Sequence, residues 1–431
     1  MRFDLLPPRH QLTEIMLRLY EQGLTTTSGG NLSIRDEDGS IWITPAGVDK
    51  GRLTSDDIVR VLPDGTLQGQ HTPSSELPFH RRIYLERPDL RAIVHAHPTA
   101  LVAFSLVGQT PEGRLTPQTF DVCGPIGYAP YALPGTEALG ERIAQAFAAG
   151  PNVVMLENHG VVAAAENLLR AFHRLETLEF SAQTQIYAAA LGSVEPLTPE
   201  QVDLFRSDQR PLTEYAPGPR SSAELEGRRA IVDVVKRAYT RRLMTSTGGT
   251  VSLRLGEDDF LITPYGFDRK YIEPSDIVRI LNGQREVGCT PSRAVRLHRA
   301  IYAAHSSVEC VITAQPPAVL SFGVTRSVPF DTKLIPETYI VLREMPIVDY
   351  GLEFTQPSQV AALLSPRTPA LLLRNDAVLA VGSTILQAFD RVEVAEFSAA
   401  ALLRSRALGA LRPIPDDDIR QLQRKYFPGE S

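Results

Sequence analysis

The chain has 431 residues, 43% of them hydrophobic and 22% charged, with 44 basic against 50 acidic residues and a formal net charge of −6. That balance excludes a largely disordered chain, and an acidic chain with no basic tract is not built to hold nucleic acid by its phosphates. The apolar runs fall short of the roughly 18–20 residues that span a bilayer, Asp4, two prolines and Glu14 break any signal-peptide core, and the three cysteines (Cys123, Cys289, Cys310) form no CxxC pair. The expectation is a cytoplasmic protein with reduced thiols, no membrane contact and no nucleic-acid partner.

From the N-terminus, Leu12, Ile15, Met16, Leu19 and Tyr20 repeat at helical spacing up to Gly23, which predicts an amphipathic helix with a glycine stop. Gly29, Gly30 and Asn31 make a loop open to close approach of a ligand. Short strand-like runs, IWIT and IVRVL, follow with Asp/Gly turns between them. Ala46 and Gly47 form a second small-residue turn. A helix is expected to begin near Ser74 and Ser75, with Pro78 in its first turn, where proline is tolerated. The run AIVHAH at 92–97 reads as a strand, and NVVML and VVAA as a hairpin around the turn ENHG at 157–160. A helix from about Leu168 to Leu191 follows, and the Pro- and Ser-rich stretch from about Pro196 to Ala223 reads as a short helix plus linker.

The chain then repeats itself. SGGNLS at 28–33 is answered by TGGTVS at 247–252, and ITPAGVDK at 43–50 by ITPYGFDR at 262–269. DIVRV matches DIVRI, HTPSSE matches CTPSRA, LTPQTF matches LIPETY, and EFSA recurs at 396–399. The offset is 219 residues early and 217 late, so this is a tandem duplication of a whole domain rather than a short solenoid repeat. The expected organisation is a first domain over 1–208, a linker over 209–222 and a second domain over 223–431. Helices mixed with short strands, without a regular βαβ rhythm, predict two tandem three-layer α/β/α domains, each around a largely antiparallel sheet.

Three of the nine histidines form a pattern. His95 and His97 are two apart on a strand and so share a face, and His159 sits in a turn after another strand. Three imidazoles make a candidate metal site, with Glu76 as a fourth ligand or a base. The plainer alternative is a hydrogen-bonded histidine pair at a strand end. The second copy bears on the choice: it has Thr313, Gln315, Asp376 and Ala294 at the places of His95, His97, His159 and Glu76. Joint loss is what one shared site predicts. Ser74 and Ser75 at a helix start, with the Asn31 and Ala46–Gly47 loops, suit an anion, or serve simply as a cap and two turns.

On GGNLS (29–33), ITPAG (43–47), PSSE (73–76), VHAHP (94–98), APY (129–131) and ENHG (157–160), the first copy resembles the class II aldolase/adducin family in order and spacing. The second copy resembles it in scaffold but lacks the chemistry. The resemblance implies zinc, one ion per chain, held by His95, His97 and His159. It implies Glu76 as the acid/base, and phosphate contacts from Asn31, Ala46, Gly47, Ser74 and Ser75. The implied reaction is reversible aldol cleavage of a ketose phosphate through a zinc-stabilised enediolate. Relatives that dehydrate, decarboxylate or epimerise share the site, and an adducin-like scaffold without catalysis is a third reading. The family's tyrosine proton donor, which comes from a neighbouring subunit, has no match in the first copy; the second copy offers Tyr339 in LIPETY. Fourfold rings in the family imply here a homodimer of two-copy chains in a pseudo-fourfold ring, with Thr313, Gln315 and Asp376 binding no metal.

Overall fold

The computed structural model describes residues 2–207 and 211–428. The chain divides into two compact units, residues 1–113 with 118–183, and residues 114–117 with 184–431. The expected domain end at residue 208 lies outside the described residues.

The first unit is built on eight strands: β1 Asn31–Arg35, β2 Ile41–Ile43, β3 Val59–Val61, β4 Leu67–Gln68, β5 Ala92–Ala96, β6 Ile126–Ala129, β7 Val153–Leu156 and β8 Gly160–Ala165. They lie in the order β4-β3-β2-β1-β5-β8-β7-β6. Every pairing is antiparallel except β6 with β7. Alternation along β5 divides the core. Ile93 joins a cluster with Phe79, Ile83, Ile143 and Phe147, from the helices Leu77–Glu86 and Glu137–Ala148. Val94 points to the other face. The helix Pro8–Glu21 buries Leu12, Ile15, Met16 and Leu19 completely, each burial contributing about 1.5–3 kcal/mol. Pro8 is its first residue, where the missing N–H costs nothing.

The second unit repeats the plan: β10 Thr250–Gly256, β11 Asp259–Ile262, β12 Val278–Leu281, β13 Gln284–Glu286, β14 Cys310–Ala314, β15 Ile347–Val348, β16 Ala370–Leu373 and β17 Ala377–Gly382. The order β15-β16-β17-β14-β10-β11-β12-β13 is that of the first sheet, with a ninth strand, β9 Glu214–Tyr215, added parallel to β13. The register repeats as well: Asn31 faces His95 in the first sheet and Thr250 faces Thr313 in the second. Two tandem α/β/α units around largely antiparallel sheets are therefore what the sequence led us to expect. The stretch expected as short helix and linker contains the helix Pro199–Ser207 and the edge strand Glu214–Tyr215, and the next helix begins at Ser222.

The recurring EFSA motif has a physical explanation. Glu179 accepts hydrogen bonds from the backbone N–H groups of Ala100 and Leu101 at 3.1 and 3.0 Å, and Glu396 accepts from Ala318 and Val319 at 3.0 and 2.9 Å. Each glutamate covers the open first turn of the helix that follows the VHAHP-like segment (Thr99–Leu106 and Pro317–Gly323), where unpaired N–H groups and the helix dipole favour an anion.

Candidate metal and acid–base centre

The site forms where the end of β5, the β7–β8 turn and the start of the helix Leu77–Glu86 meet. His95 is the fourth residue of β5 and fully buried, and His97 follows the strand's last residue. His159 stands in the turn just after Asn158, whose φ of 54° makes the reversal tight. One ring nitrogen from each of the three lies within 4.8 Å of the others. His95 Nδ1 lies 3.0 Å from the Val161 carbonyl. A carbonyl only accepts, so Nδ1 carries the proton and Nε2 presents its lone pair to the cluster.

Two glycines make room for this. A Cβ on Gly29 would sit 2.9 Å from His97 Nδ1, and one on Gly160 would sit 2.6 Å from His97 Cδ2 and from the Ala96 carbonyl. The second copy has Gly248 and Ala377 at these places.

Glu76 precedes the helix Leu77–Glu86 and is 8% exposed. Its Oε2 accepts from Asn31 Nδ2 at 2.7 Å and lies 3.3 Å from His95 Nε2. Its Oε1 lies 3.7 Å from His159 Nε2 and has no hydrogen-bond partner. Burial, reinforced by the neighbouring imidazoles, pushes the pKa values of His95 and His97 down to about 3, so both rings are neutral at physiological pH. Neutral imidazoles in contact, with His95 Nε2 and His97 Nε2 only 3.0 Å apart, beside a buried carboxylate oxygen without a partner, are a donor set that fits a divalent cation.

The proposed anion loops adjoin the site. Pro45 bridges to Pro73, Ala46 N–H is committed to the Thr72 carbonyl, and Ser74 N–H to that of Thr44. Ser74 Oγ accepts from Glu76 N–H at 3.3 Å, and Gly47 takes φ 68°. Ser74 and Ser75 thus occupy the turn just before the helix rather than its first residues. Lys50, only 3% exposed, donates to the Pro45 carbonyl at 2.6 Å and pins the ITPAG loop; Arg269 does so in the second copy, donating to Pro264, Gly248 and Gly249 carbonyls. Tyr339 lies on the helix Pro336–Leu342 of the second unit and is 3% exposed.

Sequence reasoning missed His80, Ser33 and Tyr84. His80 Nε2 meets Asn31 Oδ1 at 2.5 Å, His80 Nδ1 meets Ser33 Oγ at 2.6 Å, and Ser33 Oγ meets the Tyr84 hydroxyl at 2.7 Å. The available signal was their joint recurrence as Ser252, His298 and Tyr302. There Ser252 Oγ contacts His298 Nδ1 and the Tyr302 hydroxyl, both at 2.7 Å.

The model of the Class II Aldolase and Adducin N-terminal domain matches residues 10–186 and again 229–403. The 3-oxo-tetronate 4-phosphate decarboxylase of Haemophilus influenzae is 34% identical over 39% of this chain and 84% of its own length. The L-fuculose phosphate aldolase of Methanocaldococcus jannaschii is 34% identical over 41% of this chain and 93% of its own. The methylthioribulose-1-phosphate dehydratase of Acidiphilium cryptum is 37% identical over 41% of this chain and 89% of its own.

Proposed function

This chain belongs to the class II aldolase and adducin family through both of its units, and on that footing we propose that the first unit is a metal-dependent lyase acting on a small sugar phosphate, by reversible aldol cleavage of a ketose phosphate. The observation that carries the reading is Glu76: a buried carboxylate with one oxygen held by Asn31 and the other unpartnered beside three imidazoles.

In this proposal His95, His97 and His159 hold one zinc ion per chain. Bound there, the ion supplies Lewis acidity to the substrate's carbonyl and adjacent oxygen. Glu76 moves the proton on the neighbouring carbon, its free Oε1 taking and returning it. Asn31, Gly47, Ser74 and Ser75 receive the phosphate, with Ala46 shaping the loop through its bond to Thr72 and Lys50 keeping the ITPAG loop in place. The second unit, with Ala294, Thr313, Gln315 and Asp376, is non-catalytic and metal-free. Tyr339 is the proposed proton donor, reaching the site of a second chain in a homodimer that forms a pseudo-fourfold ring. Its burial requires the helix Pro336–Leu342 to expose it on assembly, and Tyr339→Phe should then slow turnover without loss of metal.

That burial, together with the absence of a tyrosine from LTPQTFDVCG at 115–124, favours a second reading. The same site would run decarboxylation or dehydration, with a different donor demand. The protein's place in the cytoplasm is part of the proposal; no helix among the described residues is long and apolar enough to cross a membrane. The test is metal analysis followed by turnover of L-fuculose 1-phosphate, 3-oxo-tetronate 4-phosphate and methylthioribulose 1-phosphate. One metal ion per chain with aldehyde release supports the aldolase, and release of carbon dioxide or water selects the second reading. Metal-loaded protein inert toward all three overturns both and leaves the adducin-like scaffold.

A further inference from the structure

Glu76, His80 and Tyr84 are spaced by four and lie on one side of the helix Leu77–Glu86 and its cap, while Asn31 and Ser33 are spaced by two on one face of β1. The two periods interlock, and every hydrogen bond between them has a determined direction. A carboxylate only accepts, so the Asn31 amide turns its NH2 to Glu76 Oε2 and its Oδ1 to His80. Oδ1 only accepts, so His80 Nε2 carries the ring proton and Nδ1 is bare. Ser33 therefore donates to Nδ1, and its one hydroxyl proton is spent. The 2.7 Å contact then requires Tyr84 to donate to Ser33, in preference to the Arg91 carbonyl 3.4 Å away.

We propose that His80 is a positioning residue for the reaction assigned above: through a one-way chain Tyr84 → Ser33 → His80 → Asn31 → Glu76 it fixes the Asn31 amide, which holds Glu76 by Oε2 and keeps Oε1 free for the proton. The inference rests on the reading of Glu76 as the base. His80 is fully buried and its pKa is held well below the usual imidazole value, by desolvation and then by His95, so the ring stays neutral. Tyr84 is likewise pushed above the ordinary phenol range by burial and stays a donor.

The second unit serves as an internal control. It keeps the first half of the chain in Ser252, His298 and Tyr302, but Asn31 has become Thr250, which bonds Ser292 Oγ at 2.5 Å instead, and Glu76 has become Ala294. His298 Nε2 is left buried with no partner. The histidine, serine and tyrosine are thus common scaffold, whereas the link from Nε2 through an amide to a carboxylate belongs to the first unit alone.

The experiment has two arms on the metal-loaded full chain. In the first, 15N-histidine labelling with the His80 signals assigned by difference against His80→Leu reports the tautomer. A neutral ring protonated at Nε2 and bare at Nδ1 is expected; an Nδ1–H tautomer or an imidazolium overturns the proposal. In the second, His80→Leu and His298→Leu are compared on whichever of the three sugar phosphates the wild type turns over. His80→Leu should lower kcat about 10–100-fold, the usual cost of losing such a supporting partner, with KM and metal content little changed. His80→Gln, which can still donate to Asn31 Oδ1, should recover part of the loss. His298→Leu should lower the melting midpoint and leave kcat unchanged. Equal effects of the two leucine variants on kcat overturn the proposal. If His80→Leu does not fold, Ser33→Ala tests the same chain, because it removes the donor to Nδ1 that steadies the ring while Asn31 still sets the tautomer, and an unchanged kcat in that variant also overturns it. The expected tautomer in a protein that turns over no sugar phosphate refutes the lyase reading alone.

Discussion

Glu76 Oε1 lies 3.7 Å from His159 Nε2 and makes no hydrogen bond, while Oε2 of the same carboxylate is held by Asn31. One oxygen is anchored and the other is available, which is the arrangement a general base requires. Glu76→Gln keeps the size and removes the base. Turnover should fall on the order of 10²–10⁴-fold, while metal content falls much less. Steady-state kinetics alongside elemental analysis decide it, and a glutamine variant with wild-type turnover ends the assignment of Glu76.

The two copies predict a tolerated but metal-free variant. Gln315 occupies the place of His97 in a unit with the same sheet order. His97→Gln should leave the metal-free protein's melting midpoint where it was and bring bound metal from near one ion per chain to near none. Stoichiometry near two ions per chain in the wild type would show instead that the second unit binds metal too.

Glu179 and Glu396 make the same pair of contacts in different units, with different consequences. Each accepts two backbone N–H groups at a helix start; such bonds are worth about 1.5–3 kcal/mol where the acceptor is charged and less where it is protonated, and burial pushes the Glu396 carboxyl up to about 7. Alanine at either position should lower stability to chemical denaturant by that order. Only Glu179→Ala should also weaken metal binding, because the helix it caps begins at Thr99, two residues after His97. Equal metal affinity in the two variants would break this link.

Acid should destabilise the second unit through His298. This ring is fully buried, and desolvation pushes its pKa down to about 3, against about 6.5 in an unfolded chain. Between those values the unfolded state binds a proton that the folded state does not, so stability rises with pH across that window and is lost as pH falls through it. The slope for one such group is about 1.4 kcal/mol per pH unit. Urea midpoints measured from pH 4 to 6.5 should fall less steeply in His298→Gln than in the wild type. Parallel curves would mean that the imidazole is already protonated in the fold.

Much of this protein was determined by sequence alone, because its evidence is either local or a comparison of the chain with itself. Leu12, Ile15, Met16 and Leu19 mark a buried helix face by spacing, and His95 and His97 share a strand end by alternation. The duplication needs no structure at all, and the joint replacement of His95, His97, His159 and Glu76 marks them as one group before any distance is known. What tertiary structure alone decided are relations between segments far apart in the chain. Asn31 and Glu76 are 45 residues apart, and only the register of β1 against β5 and the seating of the helix Leu77–Glu86 bring them into contact. Ser33, His80 and Tyr84 look like ordinary polar residues in sequence. Lys50 reads as a surface charge until its ammonium is found under the ITPAG loop. Glu179 sits in a helical stripe with no hint that it caps a helix 79 residues earlier. Periodicity shows which face a side chain takes, but it carries no information about which other segment that face meets; that is settled by how two layers of helices pack onto one sheet.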